Sequence, residues 1–188
     1  NTIGLGKVKG NTTVTINGGK VHKDVYGGGN KGQVDGNTTV NISGDVDIST
    51  VYAGCNQADV AGSSTLNINA SEKFTITNAF GGNNASGSIG RVFVNVGSGS
   101  ITNLYGGGNK ANDTFDTVTT ITGGSITNVF GGGKNASVGN ITLSTSGATI
   151  NTIFGGGDQA DVFGNINLQI GDTSITNLYG GNNQTGSI

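Results

Sequence analysis

Short runs of alternating apolar and polar residues recur along the chain about every 25 residues. The clearest are Thr-Val-Asn-Ile at 39–42, Thr-Leu-Asn-Ile at 65–68 and Asn-Ile-Asn-Leu at 165–168. Alternation with a period of two is typical of a half-buried strand. Six of the seven periods also hold an isolated Val or Ile before this run, and every period holds a third apolar run after it, such as Ile-Thr-Asn-Val-Phe at 126–130. The pattern therefore predicts three short strands per period.

The third run of every period ends in an aromatic residue that is followed by glycines. The aromatic residues lie 24 to 28 residues apart, at Tyr26, Tyr52, Phe80, Tyr105, Phe130, Phe154 and Tyr179. A fixed period of about 20 to 50 residues marks a repeat array, in which each period adds one structural unit. We expect the seven rings to stack in an inward ladder that fills much of the core.

The residue before each aromatic is also apolar, in a column made of Val25, Val51, Ala79, Leu104, Val129, Ile153 and Leu178. Adjacent residues of a strand face opposite ways, so the two columns cannot both point inward along a straight strand. Either the chain bends there, or one apolar stripe is exposed and forms a lateral contact surface. The sequence leaves both interpretations open.

The glycine clusters that follow the aromatic residues predict sharp bends, at which we expect backbone with positive φ. Their central glycines are Gly28, Gly54, Gly82, Gly107, Gly132, Gly156 and Gly181. Asn follows the glycines in five periods, at Asn30, Asn56, Asn84, Asn109 and Asn183, and Lys134 and Asp158 take this position in the other two. Stacked Asn side chains bond along an array, so we expect a structural amide ladder at this bend.

Three strands and three bends in about 25 residues leave no room for a helix, and Thr, Val, Ile, Tyr and Phe are strand formers. The sequence therefore predicts an all-β, single-stranded parallel β-helix (a β-solenoid) of about seven coils, with successive coils about 4.8 Å apart. A leucine-rich repeat has a similar period but would contain a helical half. Residues 5–14 repeat residues 31–40, and residues 180–188 repeat residues 81–89. We therefore expect residues 1–188 to be one repeat domain, an uncapped excerpt of a longer array.

Composition excludes several classes of protein. With 37 glycines but no proline, the chain is not collagen. Charged residues are 11% of the chain and the net charge is -2, so we expect no nucleic-acid partner. No apolar run approaches the roughly 20 residues that span a bilayer, so we expect no membrane insertion of this segment. Cys55 is the one cysteine, which argues against a disulfide framework.

Candidates for catalysis or metal binding are few. His22 is the single histidine and falls where the first period carries one extra residue, so we expect it in a solvated bend. We expect no cofactor and no enzymatic activity, and we interpret Cys55 as a small residue in a tight turn. Asp35, Asp59, Asp158 and Asp161 lie near glycine bends and offer oxygen ligands for calcium, but the surrounding residues do not match the Gly-Gly-x-Gly-x-Asp motif of calcium-binding rolls.

The second run of each period presents a file of outward polar pairs. Regular Thr-x-Thr files on β-solenoids resemble the ice-binding faces of antifreeze proteins, but here Asn often replaces Thr and the file is interrupted at Arg91 and Phe93. We expect these pairs to reflect strand propensity. They are Thr13 and Thr15, Thr39 and Asn41, Thr65 and Asn67, Thr117 and Thr119, Asn140 and Thr142, and Asn165 and Asn167.

Charge is distributed unevenly along the predicted axis. Residues 1–34 contain five lysines and one aspartate, a sum of +4, while residues 35–188 contain four cations and ten anions, a sum of -6. Because the ends of a stack of coils also present unpaired strand edges, we expect that the chain can self-associate end to end, or laterally through an exposed stripe.

The aromatic-glycine units and the strands between them resemble the glycine-rich β-helix repeats of large bacterial surface proteins of the adhesin and autotransporter type. The resemblance implies an extracellular location, on the bacterial surface or secreted, and a structural or adhesive rod that engages a glycan or protein receptor of host or microbial origin. Two alternatives stay open, a self-assembling extracellular filament and a polysaccharide-binding or polysaccharide-cleaving β-helix protein. The resemblance assigns no catalytic residue to this chain.

Overall fold

The computed structural model describes residues 6–111 and 115–187. The predicted domain of residues 1–188 is thus described without residues 1–5, 112–114 and 188, and Leu5 and Ile188, which begin and end the repeat matches noted above, lie outside the described residues. Within the described residues there is no helix, and the strands form two parallel seven-stranded sheets. The predicted all-β solenoid of seven turns is confirmed.

Each coil contributes one strand to each sheet. The first sheet contains β1 (Thr12–Ile16), β3 (Thr38–Gly44), β5 (Val60–Ala70), β7 (Ile89–Ser98), β9 (Thr117–Ile121), β11 (Ile141–Thr145) and β13 (Ile166–Ile170). The second contains β2 (Gly19–Tyr26), β4 (Val46–Tyr52), β6 (Thr75–Phe80), β8 (Ser100–Tyr105), β10 (Ser125–Phe130), β12 (Thr149–Phe154) and β14 (Ser174–Tyr179).

Strand pairing joins equivalent residues of consecutive coils. Val14 pairs with Val40, Val40 with Leu66, and Leu66 with Val94. In the second sheet Ile101 pairs with Ile126 and Ile126 with Ile150. Because like residues stack on like, the side chains of each sequence column form a continuous file along the axis.

The strand predicted around the isolated Val or Ile that precedes the first-sheet strand is shorter than expected. The isolated apolar residues pair as single bridges, Val8 with Val34, Val34 with Val60, and Val138 with Val162. Only β5 and β7 extend far enough to include this position, at Val60 and Ile89. One inward residue between glycine-rich segments is enough for a bridge but supplies no second pair to lengthen it into a strand.

The aliphatic residues of both sheets meet in one core between them. Ile48, Leu66, Ile68, Leu104 and Leu143 are fully buried there. Inward hydroxyl groups tie the first sheet to the glycine bend of the same coil: Ser64 Oγ donates to the Gly81 carbonyl at 2.6 Å, and Thr117 Oγ1 to the Gly131 carbonyl at 2.9 Å. These buried polar groups thereby gain the partners that burial requires.

Candidate functional surface

A bend inside the strands of the second sheet sets the direction of the side chains at the aromatic corner. In β10, Ile126 and Val129 are three residues apart, yet both are buried in the aliphatic core. The pairing of β10 with its neighbours skips Thr127 and resumes at Asn128, so the alternation of side chains reverses there. Phe130 then faces away from the core that Val129 enters. The bend therefore lies two residues before Val129. The aliphatic column that contains Val129 faces the aliphatic core, and the aromatic column that contains Phe130 faces a different cluster.

The seven rings form one continuous column on the side of the strand opposite the aliphatic core. Neighbouring ring centroids are 4.5 to 5.2 Å apart, and the ring planes lie within 5 to 10° of parallel. Tyr52, Phe80, Tyr105 and Phe130 are only 3 to 5% exposed and form a separate cluster. The expectation that the rings fill much of the central core is wrong, because the aliphatic residue before each ring occupies that side of the strand.

Two files of Asn side chains accompany the column. At the bend after the rings, Asn56 donates to Asn30 at 2.6 Å, Asn84 to Asn56 at 2.8 Å, and Asn109 to Asn84 at 2.8 Å. In the sixth and seventh coils the file continues through a carboxylate, since Asn183 donates to Asp158 Oδ1 at 2.7 Å.

The second file lies two residues before the rings and was missed by sequence reasoning. Asn103 donates to Asn78 at 3.1 Å, and Asn128 donates to Asn103 at 3.0 Å. Its signal was present in the recurring Thr-Asn dipeptide of the third run, at 77–78, 102–103 and 127–128. The Asn of this dipeptide directly follows the bend at which the inward and outward alternation of the side chains reverses.

The environment of the column acts on its tyrosine hydroxyl groups. Burial, with a smaller contribution from the nearby Asp158 carboxylate, raises the pKa of Tyr105 to about 12. Burial likewise raises the pKa of Tyr52, with smaller contributions from Tyr26 and Asp24. At the first coil, Tyr26 donates to Asp24 Oδ2 at 3.2 Å, and Asn84 donates to the Tyr26 hydroxyl at 3.2 Å. The hydroxyl groups of Tyr26, Tyr52 and Tyr105 therefore stay protonated over the ordinary pH range.

The bend glycines pack closely and do not have the positive φ that we expected. Positive φ occurs instead at other glycines, including Gly124 in the corner between the two sheets. A Cβ on Gly54 would lie 2.1 Å from Asn83 Oδ1, and one on Gly107 would lie 2.9 Å from the Gly133 nitrogen. The seven central glycines are linked along the axis by backbone hydrogen bonds of 3.0 to 3.4 Å. Glycine is required at this bend because the neighbouring coil leaves no space for a side chain.

A capping file at the start of the first-sheet strands was also missed. Asn11 Oδ1 accepts from the Asn37 backbone N–H at 2.8 Å, and Asn37 Oδ1 accepts from the Ser63 N–H at 2.8 Å. Asn140 Oδ1 accepts from the Asn165 N–H at 2.9 Å. Gly-Asn before the strand is the corresponding signal, since a Cβ on Gly36 would lie 2.4 Å from Asn11 Oδ1.

The residues considered for catalysis and metal binding are dispersed. His22 is exposed in β2, at the register shift between Val21 and Asp24 that accommodates the extra residue. Cys55 is buried and donates to the Asp59 carbonyl at 3.8 Å, and burial raises the pKa of its thiol.

The four aspartates engage protein partners. Asp59 and Asp161 accept backbone N–H groups of Ser88 and Ser187. Asp158 accepts from Asn183, and Asp35 accepts from Gln33 at 2.9 Å. Within the described ranges, no three His, Cys, Asp or Glu side chains are grouped to hold a metal ion.

The outward face of the first sheet follows the predicted pairs in most coils but not in β9. Thr117 and Thr119 are each 1% exposed and face the core. Their neighbours Val118 and Thr120 are in register with Phe93 and Asn95 and face outward. The prediction was wrong here because Val118 was interpreted as inward, whereas Ile121, in register with Val96, fixes the alternation of this strand.

Along the rest of this face the outward polar residues bond between coils. Asn67 donates to Asn41 and Asn95 donates to Asn67, both at 2.8 Å. Between the fifth and sixth coils, Ser144 Oγ lies 3.4 Å from Thr120 Oγ1. The face is a polar file with an apolar interruption at Phe93 and Val118.

Within the described residues there is no helix long and apolar enough to span a bilayer. Comparison of the chain with protein families, with curated proteins and with solved structures found no match.

Proposed function

We propose that this chain is a structural, non-enzymatic rod of an extracellular bacterial surface protein, a stalk whose lateral faces are available to a ligand. The observation that carries the proposal is the unbroken column of seven parallel rings, which runs through all seven coils with amide files beside it. Offset ring pairs add about 0.5–1.5 kcal/mol each beyond their burial. The same column that fixes the register of the coils therefore also stiffens the stack.

The contacts between adjacent coils are arranged to resist a mechanical load along the axis. Two adjacent coils are joined by the hydrogen bonds of both sheets, by the bonds of the glycine bend and by the ring stack. A pull along the axis loads all these contacts of one coil boundary together. The repeats of a solenoid contact only their neighbours, so the rod is as strong as its weakest coil boundary.

The extracellular location is supported by the resemblance to bacterial surface repeats and by the polar, sparsely charged surface. The test is labelling of intact cells of the native producer with an antibody raised against this chain. We expect labelling before lysis and its loss after the intact cells are treated with a protease that cleaves surface proteins. Labelling that requires lysis would contradict the proposal.

A second candidate, a self-assembling filament, is favoured by the uneven charge of the chain. Residues 1–34 sum to +4 and residues 35–188 sum to -6. Opposite charges on the two parts of the chain favour contact between the basic part of one copy and the acidic part of another.

The filament candidate is tested by sedimentation velocity of the chain over a range of protein concentration and salt. Because the first coils are basic and the remainder is acidic, we expect association that weakens as salt screens the charges. A strictly monomeric chain at high concentration and low salt would exclude this candidate.

A further inference from the structure

The outward face of the first sheet changes character at β7 and β9. The file that reads Thr39 and Thr65 in earlier coils continues in register as Phe93 and Val118, both half-buried. The Arg91 guanidinium carbon lies 5.9 Å from the centroid of the Phe93 ring. We call Phe93, Val118 and Arg91 the aromatic platform.

The charges at this platform neutralise one another. Arg91 Nη2 lies 3.5 Å from Asp116 Oδ2, and Asp116 Oδ1 in turn accepts from the backbone N–H and the side-chain amide of Asn140, each at 3.0 Å. The Arg91 side chain is thus held between a ring and a carboxylate. An apolar surface with compensated charge favours a neutral ligand over an acidic one.

A shallow groove of about 410 Å³ lies beside the platform, further along the axis. Its lining residues include Thr120, Thr122, Ser144, Ser146 and Gln169, which carry hydroxyl or amide groups, and none of its lining residues is charged. Thr120 is in register with Asn95, which is exposed two residues after Phe93 on the same face. The platform and the groove therefore form one continuous strip across β7, β9, β11 and β13.

We infer that this strip binds a neutral, extended oligosaccharide that lies along the solenoid axis. The apolar faces of sugar rings pack on Phe93 and Val118, and the sugar hydroxyl groups bond to the hydroxyl and amide side chains of the groove, the combination of apolar wall and few polar groups that is typical of ligand sites. The spacing of about 4.8 Å between coils is close to the length of one residue in an extended β-1,4-linked sugar chain. Successive sugars thereby lie over successive coils.

The inference goes beyond the rod function and does not depend on it, since it rests on the surface of four coils. It is tested by isothermal titration of the whole chain with cellohexaose and with chitohexaose. We expect one of these neutral hexasaccharides to bind, and Phe93→Thr to weaken that binding at least tenfold. Thr stands at the equivalent positions 39 and 65, so this variant keeps a residue that the fold already accepts there.

Ser144→Ala is expected to weaken binding several-fold through loss of a groove hydroxyl. Two matched controls are expected to leave the affinity unchanged: Phe163→Thr, which removes a ring that is 66% exposed elsewhere, and Thr127→Ala, which removes a hydroxyl from a groove on the second sheet. Circular dichroism confirms that each variant is folded.

Four results would overturn the inference. The first is no binding of either hexasaccharide, and the second is an equal loss of affinity in Phe93→Thr and Phe163→Thr. The third is tighter binding of an acidic oligogalacturonide, which would assign the strip to an acidic glycan. The fourth is a change in sedimentation coefficient on Phe93→Thr, which would assign the strip to a second copy of the chain.

Discussion

Each inner ring of the aromatic column is buried mainly by the rings of the two neighbouring coils and less by the aliphatic core. Phe80 lies 4.8 Å from the Tyr52 centroid and 4.5 Å from the Tyr105 centroid, and it is 3% exposed. Its removal would leave a gap bounded by two rings that are held in place by their own strands. Such a site collapses poorly, and the cost of a deletion grows with the cavity that remains.

Phe80→Ala is therefore expected to lower the free energy of unfolding by about 3–5 kcal/mol, the usual cost of deleting a buried phenylalanine ring. The measurement is the shift of the urea midpoint, followed by circular dichroism. Phe163→Ala is the control, because that ring is 66% exposed and its loss should cost less than about 0.5 kcal/mol. Equal shifts for the two variants would contradict the role of the column.

The buried tyrosines make stability depend on alkaline pH. The pKa of Tyr105 is raised from 10.0 to about 12 in the folded chain, so the folded state holds its proton more tightly than the unfolded state. The stabilisation is complete below pH 10 and is lost as the pH rises from 10 to about 12. We expect unfolding in this interval, measured by ultraviolet absorbance of tyrosinate and by circular dichroism.

Tyr105→Phe is the matched variant for this titration, since it keeps the stacked ring and removes the ionisable hydroxyl. It should move the alkaline midpoint to higher pH and leave the urea midpoint at pH 7 nearly unchanged. An alkaline midpoint that is the same in both proteins would show that Tyr105 does not ionise on unfolding.

At the scale of the elements, the glycine bend is constrained by the coil next to it. A Cβ on Gly106 would lie 2.1 Å from the Gly131 carbonyl oxygen and 3.0 Å from Thr119 Oγ1, whereas a Cβ on the equivalent Gly180 would meet nothing within 4 Å. The two glycines belong to the same kind of bend, and they differ in whether another coil covers them. They therefore separate steric from conformational requirements.

Gly106→Ala is expected to destabilise the chain by about 1–3 kcal/mol, because backbone atoms of the neighbouring coil must move to admit the methyl group. Gly180→Ala should change stability by less than about 0.5 kcal/mol. Urea denaturation of both variants measures the difference. A comparable loss in both would indicate that the bend needs glycine for its own backbone conformation.

The elements also show what could be predicted from the sequence. The period, the strand of the second run and the columns of like residues follow from spacing alone, because stacking in register requires no knowledge of contacts. The direction of Phe130 does not follow, since it depends on the reversal of alternation between Thr127 and Asn128. The orientation of Val118 was mistaken for the related reason that its short strand, TVTTI, has apolar residues three apart, and only pairing with the next coil decides between them.

At the scale of the whole molecule, the second Asn file and the oligosaccharide strip required coordinates. The amide ladder at the glycine bend was predicted from the sequence, whereas the bonds among Asn78, Asn103 and Asn128 depend on a bend that the pattern does not specify. The strip joins Phe93 to Ser144 and Gln169, which are distant in sequence and lie in the fourth, sixth and seventh coils of one face. Its parts are individually ordinary, and only the winding of the chain brings them together.

The central claim is that each period winds once around a common axis, so that equivalent residues are separated by one coil spacing. Pulsed electron paramagnetic resonance tests this most directly, with spin labels on Thr13 and on one of Val118, Thr142 or Asn167, in a Cys55→Ala background. These positions are four, five and six coils apart in one outward file. We expect distances of about 19, 24 and 29 Å, rising by about 4.8 Å per coil. Distances that do not increase with the number of periods, as in units folded back on themselves, would contradict the solenoid.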